Sequence, residues 1–120
     1  MNRPFIAAFA VLSMLLAASP AVAHSNVVSA VPAEQTEVSA PPAIEMTFNE
    51  TVNLGFSTLN LIGPDGQDIP LGEATSIADG KGMAASVDAE LSPGTYTVNW
   101  TLLSPDGHKL EGSYSFTVSP

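Results

Sequence analysis

"TYTVNWTLL", residues 95–103, alternates without a break. Tyr96, Val98, Trp100 and Leu102 fall on one side, and Thr95, Thr97, Asn99 and Thr101 on the other. Successive side chains of an extended strand point to opposite faces. A period of two carried by aromatic and β-branched residues therefore predicts a strand with one face in the core. "SPG" (92–94) ahead of it and "SPDG" (104–107) behind it are turn sequences. Asp-Gly tolerates the positive φ values that tight turns need. Beyond the second turn, Leu110, Tyr114, Phe116 and Val118 resume the alternation. The C-terminal quarter of the chain thus reads as a long hairpin.

The same pattern extends outward. "AIEMTFNETV" (43–52) places Ile44, Met46, Phe48 and Val52 on one face. "FSTLNLIG" (56–63) reads as a further strand ended by Pro-Asp-Gly. "SIADGKGMAASV" (76–87) suggests a hairpin or loop, after which Met83, Ala85, Val87, Ala89 and Leu91 share a face. "PAEQTEVSAPP" (32–42), bracketed by prolines, reads as a loop. The sum is about seven strands with turns every ten or so residues and no convincing helix after the N-terminal segment. That is the pattern of an all-β, antiparallel Greek-key sandwich. The recurring Pro-Asp-Gly is repeated turn chemistry and not a structural repeat.

The first 23 residues have a different character. Arg3 supplies a positive start, Phe5–Ala18 is uncharged and mostly apolar, and Ala21-Val22-Ala23 is a small-x-small cleavage pattern. The apolar run is shorter than the roughly 20 residues of a membrane span. The expectation is a signal peptide, residues 1–23, cleaved to leave one domain, residues 24–120, with His24 first. No later stretch is long and apolar enough to span a membrane. With no cysteine in the sequence, lipoprotein processing, disulfides and thiolate chemistry are excluded. After cleavage Lys81 and Lys109 remain against 12 carboxylates, a side-chain charge of −10. Such a chain repels nucleic acid and anionic lipid.

The chain has two histidines, and both stand at informative places. A histidine made N-terminal by cleavage offers its free α-amine and its imidazole Nδ1 to one ion in a six-membered chelate. An internal histidine cannot do this, because its backbone nitrogen is an amide. Asp106 and His108 are two apart, so in an extended or hairpin segment they project to the same side. Together with His24 they offer an amine, two imidazoles and a carboxylate. Nitrogen-rich tetragonal ligation suits Cu(II), which also binds most tightly among the divalent first-row ions. One Cu(II) per chain is expected. Glu50 continues the apolar stripe of Ile44, Met46 and Phe48. A carboxylate on that parity is either a solvated strand end or a partner for the N-terminal amine or an imidazole N–H.

These residues resemble the CopC family of periplasmic copper-binding proteins over nearly the whole of residues 24–120. The likeness is carried by "AHSNVVSAVPAE", "MTFNETV", "LIGPDGQDIPLG" and above all "LSPGTYTVNWTLLSPDGHKLEGSYSFTV". The resemblance implies a seven-stranded, cupredoxin-like or immunoglobulin-like sandwich and a Cu(II) site of His24, Asp106 and His108. It also implies that Glu50 supports the N-terminal residue, with Asn49 standing where the family usually has serine. Work beside a CopD-type inner-membrane copper transport protein, in copper resistance or homeostasis, is implied too. Some members hold Cu(I) on a methionine-rich loop. Here only Met46 and Met83 remain after the leader, both on core-facing parity, so a Cu(II)-only protein without enzymatic activity is expected. The competing readings are a copper-dependent oxidative enzyme built on an N-terminal histidine chelate, and a metal-free β-sandwich interaction module.

Overall fold

The computed structural model describes residues 26–120; the expected leader and His24 lie outside them. Nine strands occur among the described residues: β1 Val27–Val31, β2 Glu37–Val38, β3 Ala43–Phe48, β4 Thr58–Ile62, β5 Asp68–Ile69, β6 Thr75–Ile77, β7 Gly82–Ser86, β8 Gly94–Leu103 and β9 Lys109–Val118. They form two sheets, ordered β1-β3-β7-β6 and β2-β9-β8-β4-β5. The all-β sandwich expected from the alternation is what the chain adopts. The count exceeds seven because β2 and β5 are two residues each, too short to carry a readable period. β2 lies inside the proline-bracketed stretch whose composition predicts a loop. It is also the exception to antiparallel pairing, running parallel to the end of β9. The chain crosses from one sheet to the other over residues 32–36. The amide of Gln35 donates to Ser115 O at 2.7 Å, and that of Thr117 to Thr36 O at 2.8 Å.

The long hairpin is the frame. β8 and β9 pair through ten consecutive residues, from Gly94 opposite Val118 to Leu103 opposite Lys109. Tyr96, Val98, Trp100 and Leu102 are buried from β8, and Tyr114, Phe116 and Val118 from β9. Ile44, Met46 and Phe48 of β3 and Met83 and Ala85 of β7 close the core from the facing sheet. Each large apolar side chain so buried stabilises the fold by about 1.5–3 kcal/mol. The rings fix the match between the sheets. Phe48 and Trp100 meet at 5.1 Å between centroids, tilted by 56°. Tyr96 stacks on its cross-strand neighbour Phe116 at 5.7 Å.

Two positions depart from the strand pattern. Phe56, the first residue of "FSTLNLIG", is not in a strand. It ends the 3₁₀ turn Leu54–Phe56 and is 70 % exposed, and β4 begins only at Thr58. Gly112 interrupts the inward stripe of β9 directly opposite Trp100. The indole fills the space a side chain would take, and a Cβ on Gly112 would stand 2.6 Å from Trp100 Cζ2. Trp100 is thus accommodated by a gap in its partner strand.

The two inward tyrosines differ in how their hydroxyls end. Tyr96 Oη donates to Ser92 O at 2.7 Å, tying the start of β8 to the turn that precedes it, in the manner of a tyrosine corner. Tyr114 Oη is buried and has no partner among the described residues, and burial pushes this phenol up to about 12. Losing a satisfied hydrogen bond costs about 1 kcal/mol, whereas removing an unsatisfied buried polar atom relieves a penalty. Tyr96→Phe should lower unfolding stability by about 1 kcal/mol, and Tyr114→Phe should leave it unchanged or raise it, both read from urea midpoints. Gly112→Ala should destabilise by about 1–3 kcal/mol through overpacking against Trp100, with a changed Trp100 fluorescence maximum in the native baseline.

Candidate metal centre

The turn that closes the long hairpin carries Asp106 and His108. Its backbone is ordinary. Ser104 N donates to His108 O at 2.9 Å and Gly107 N to Ser104 O at 3.0 Å, with Gly107 at φ 89°. The turn at 63–67 is built the same way: Gly63 N donates to Gln67 O at 2.8 Å and Gly66 N to Gly63 O at 3.0 Å, with Gly66 at φ 77°. "GPDGQ" and "SPDGH" therefore share one backbone and differ at their first and last residues.

The difference is chemical. Asp106 Oδ2 lies 3.1 Å from His108 Nδ1, and the two side chains are 67 % and 71 % exposed. Two donors in adjacent positions of a square, each about 2.0–2.2 Å from an ion, stand about 2.8–3.1 Å apart. The pair already has that spacing, and it faces solvent. Behind it Ser104 is buried. Its hydroxyl donates to Asp106 Oδ1 and accepts from His108 N at 3.1 Å. The Ser104 hydroxyl is the main reason the Asp106 carboxyl sits below its ordinary 3.8, with His108 acting in the same direction and desolvation against them. Asp106 is therefore a carboxylate at any physiological pH.

The opposite wall of the site comes from the segment after β3. Glu50 and Thr51 line a cleft with Ser104, Pro105 and Asp106. A backbone bond holds this segment to the hairpin, Asn53 N donating to Leu103 O at 2.8 Å, and another ties it to the turn before β7, Val52 N donating to Gly80 O at 2.8 Å. Ser57 Oγ donates to Asn53 O at 2.8 Å and accepts from Leu103 N at 2.9 Å. On the other side Asn49 N donates to Asn26 O at 3.0 Å, which continues the β1–β3 ladder and brings the chain into β1 alongside Glu50. Glu50 is half-buried, and its Oε2 is buried with no hydrogen-bond partner among the described residues. A buried carboxylate oxygen without a donor is costly.

Of the four residues singled out from the sequence, Asp106 and His108 meet directly, and Glu50 lines the same cleft as Asp106. His24 lies outside the described residues. Among those residues no three histidine, aspartate or glutamate side chains converge on one point, so the pair alone does not enclose an ion. Sequence reasoning missed Ser104. The signal was available, because Ser104 and Gly63 occupy the same position in two otherwise matching turns.

The CopC domain model matches residues 27–119. Protein YobA of Escherichia coli K12 is 37% identical over 113 residues, spanning 92% of this chain and 91% of YobA. Copper resistance protein C of Xanthomonas campestris pv. juglandis is 35% identical over 109 residues, 86% of each chain. Among solved structures, CopC from Methylosinus trichosporium OB3b superposes with a TM-score of 0.72 at 32% identity, covering 81% of this chain and 95% of that one. PcoC, a methionine-rich copper resistance protein from Escherichia coli, gives 0.69 at 30% identity, covering 78% of this chain and 97% of PcoC. Further relatives in Pseudomonas syringae pv. tomato and Escherichia coli also carry the name copper resistance protein C. The chain belongs to the CopC domain family.

Proposed function

We propose that this chain is a periplasmic Cu(II)-binding protein that buffers or carries copper as cargo through one site per chain. The observation that carries the reading is the Asp106–His108 pair, exposed and held at 3.1 Å on a turn whose twin at 63–67 lacks the histidine. The α-amine and imidazole of His24 would complete the set once cleavage after Ala23 frees the amine. His24 is two residues from Asn26, a span of at most about 7 Å, and Asn26 is bonded to Asn49 beside Glu50. The unpartnered Oε2 of Glu50 is the acceptor that a cationic amine or an imidazole N–H in this cleft would satisfy, which fits a role in orienting His24.

The methionines favour a Cu(II)-only protein. Met46 and Met83 face each other across β3 and β7 and both are buried in the core. Packing accounts for both thioethers, in contrast to a relative described as methionine-rich. A CopD-type inner-membrane transport protein is the partner that the family resemblance suggests.

Binding should release protons, because amine and imidazole donors coordinate only when deprotonated. Their reference values are about 7.7 and about 6.5, and Asp106 is held below 3.8. Acidification from pH 8 to pH 5 should therefore weaken Cu(II) steeply through the nitrogen donors, while the carboxylate stays ionised. Exported protein of intact mass beginning at His24 should bind one equivalent of Cu(II). An added alanine ahead of His24, or His108→Ala, should reduce affinity by at least tenfold. Full affinity in the alanine-extended protein, or at pH 5, would overturn the ligand set.

A further inference from the structure

We infer that Ser104 is a positioning residue that makes Asp106 a one-oxygen ligand and presets it against His108. The inference rests on the Cu(II) reading above and adds a residue to it. Three observations carry it. Ser104 is only 4 % exposed, so its hydroxyl is fixed by the fold and not by solvent. That hydroxyl takes Asp106 Oδ1, which leaves Oδ2 as the oxygen facing His108 Nδ1. The same oxygen accepts the backbone N–H of His108, so one buried atom holds both ends of the pair.

The consequence is geometric. A free aspartate at 67 % exposure would sample several rotamers and could bind an ion through both oxygens. Bidentate binding would occupy two in-plane places and leave too few for three nitrogens. With Oδ1 engaged by Ser104, the carboxylate takes one place. This favours the nitrogen-rich tetragonal set of Cu(II) over the many-oxygen shells of hard cations such as Ca²⁺. The twin turn supplies the control. Gly63 stands where Ser104 stands, and the two turn hydrogen bonds still form there. The backbone does not need the serine, so its hydroxyl is available for the site.

Ser104→Gly and Ser104→Ala, each prepared with the N-terminus of the processed protein, provide the test. Cu(II) affinity would be measured by chelator competition at pH 7.5, with the electron paramagnetic resonance spectrum of the one-equivalent complex. Loss of a group that orients a ligand lowers metal affinity by about 10–100-fold. Both variants should show that loss with altered copper hyperfine values, and their metal-free circular dichroism should match wild type. Agreement between glycine and alanine assigns the effect to the hydroxyl and not to added flexibility. Affinity within about threefold of wild type and an unchanged spectrum, in either variant, would overturn the inference while leaving the Cu(II) reading intact. Failure of wild-type protein to bind Cu(II) would overturn both.

Discussion

The pairing of β8 with β9 is the constraint on which the rest of the molecule depends. Ten residues of each strand are in register, so one turn fixes which side chains of both strands enter the core. A slip of one residue would turn the inward set of one strand to solvent, either Tyr96 and Trp100 of β8 or Tyr114 and Phe116 of β9. That register also sets the functional end. The last paired residues, Leu103 and Lys109, deliver Ser104 and His108 to the two sides of the turn, where the serine hydroxyl can reach the histidine amide. Core packing and site geometry therefore rest on the same ladder. A change that loosens the hairpin would blur the Asp106–His108 spacing before it unfolded the chain.

The facing wall is coupled to that hairpin without sharing a sheet with it. β3 belongs to the other layer, yet the segment that follows it is bonded to Leu103 from both directions, at its amide through Ser57 and at its carbonyl through Asn53. Leu103 is the residue immediately before Ser104. The two walls that carry Glu50 and Asp106 are thus tied together by short hydrogen bonds at Leu103. This is how a candidate site with walls from both sheets is held in shape.

Much of this was legible in the sequence, and for a physical reason. Strands with one face buried must alternate, so Tyr96–Leu102 and Ile44–Phe48 announced both their conformation and their buried side. Asp106 and His108 were legible because spacing of two on a turn has few geometric outcomes. What could not be read lacked a period. β2 and β5 are stabilised by pairing with longer neighbours, not by their own pattern, and the parallel run of β2 follows from the route of a crossover. Phe56 misled because an aromatic beside a strand looks like its first residue, whereas Asn53 and Ser57 close a 3₁₀ turn there. Glu50 stood undecided between two readings. Its side chain is half-buried, and the unpartnered oxygen is a tertiary fact no local pattern encodes.

The two Pro-Asp-Gly turns suggest how such a site can arise at little cost to the fold. Both satisfy the same backbone hydrogen bonds, and both put glycine at positive φ. The polar atoms that arm the second turn are either exposed or bonded within the turn itself, so no unpaired charge is buried by having them. Stability of the sandwich is carried by the apolar faces of β3, β7, β8 and β9, whereas the side chains of Asp106 and His108 are exposed. Residue identity at positions 106 and 108 is thereby free to change without repacking the core. The reverse does not hold, because the spacing of those side chains is set by β8–β9 register. In this chain the core constrains the site, and the site leaves the core alone.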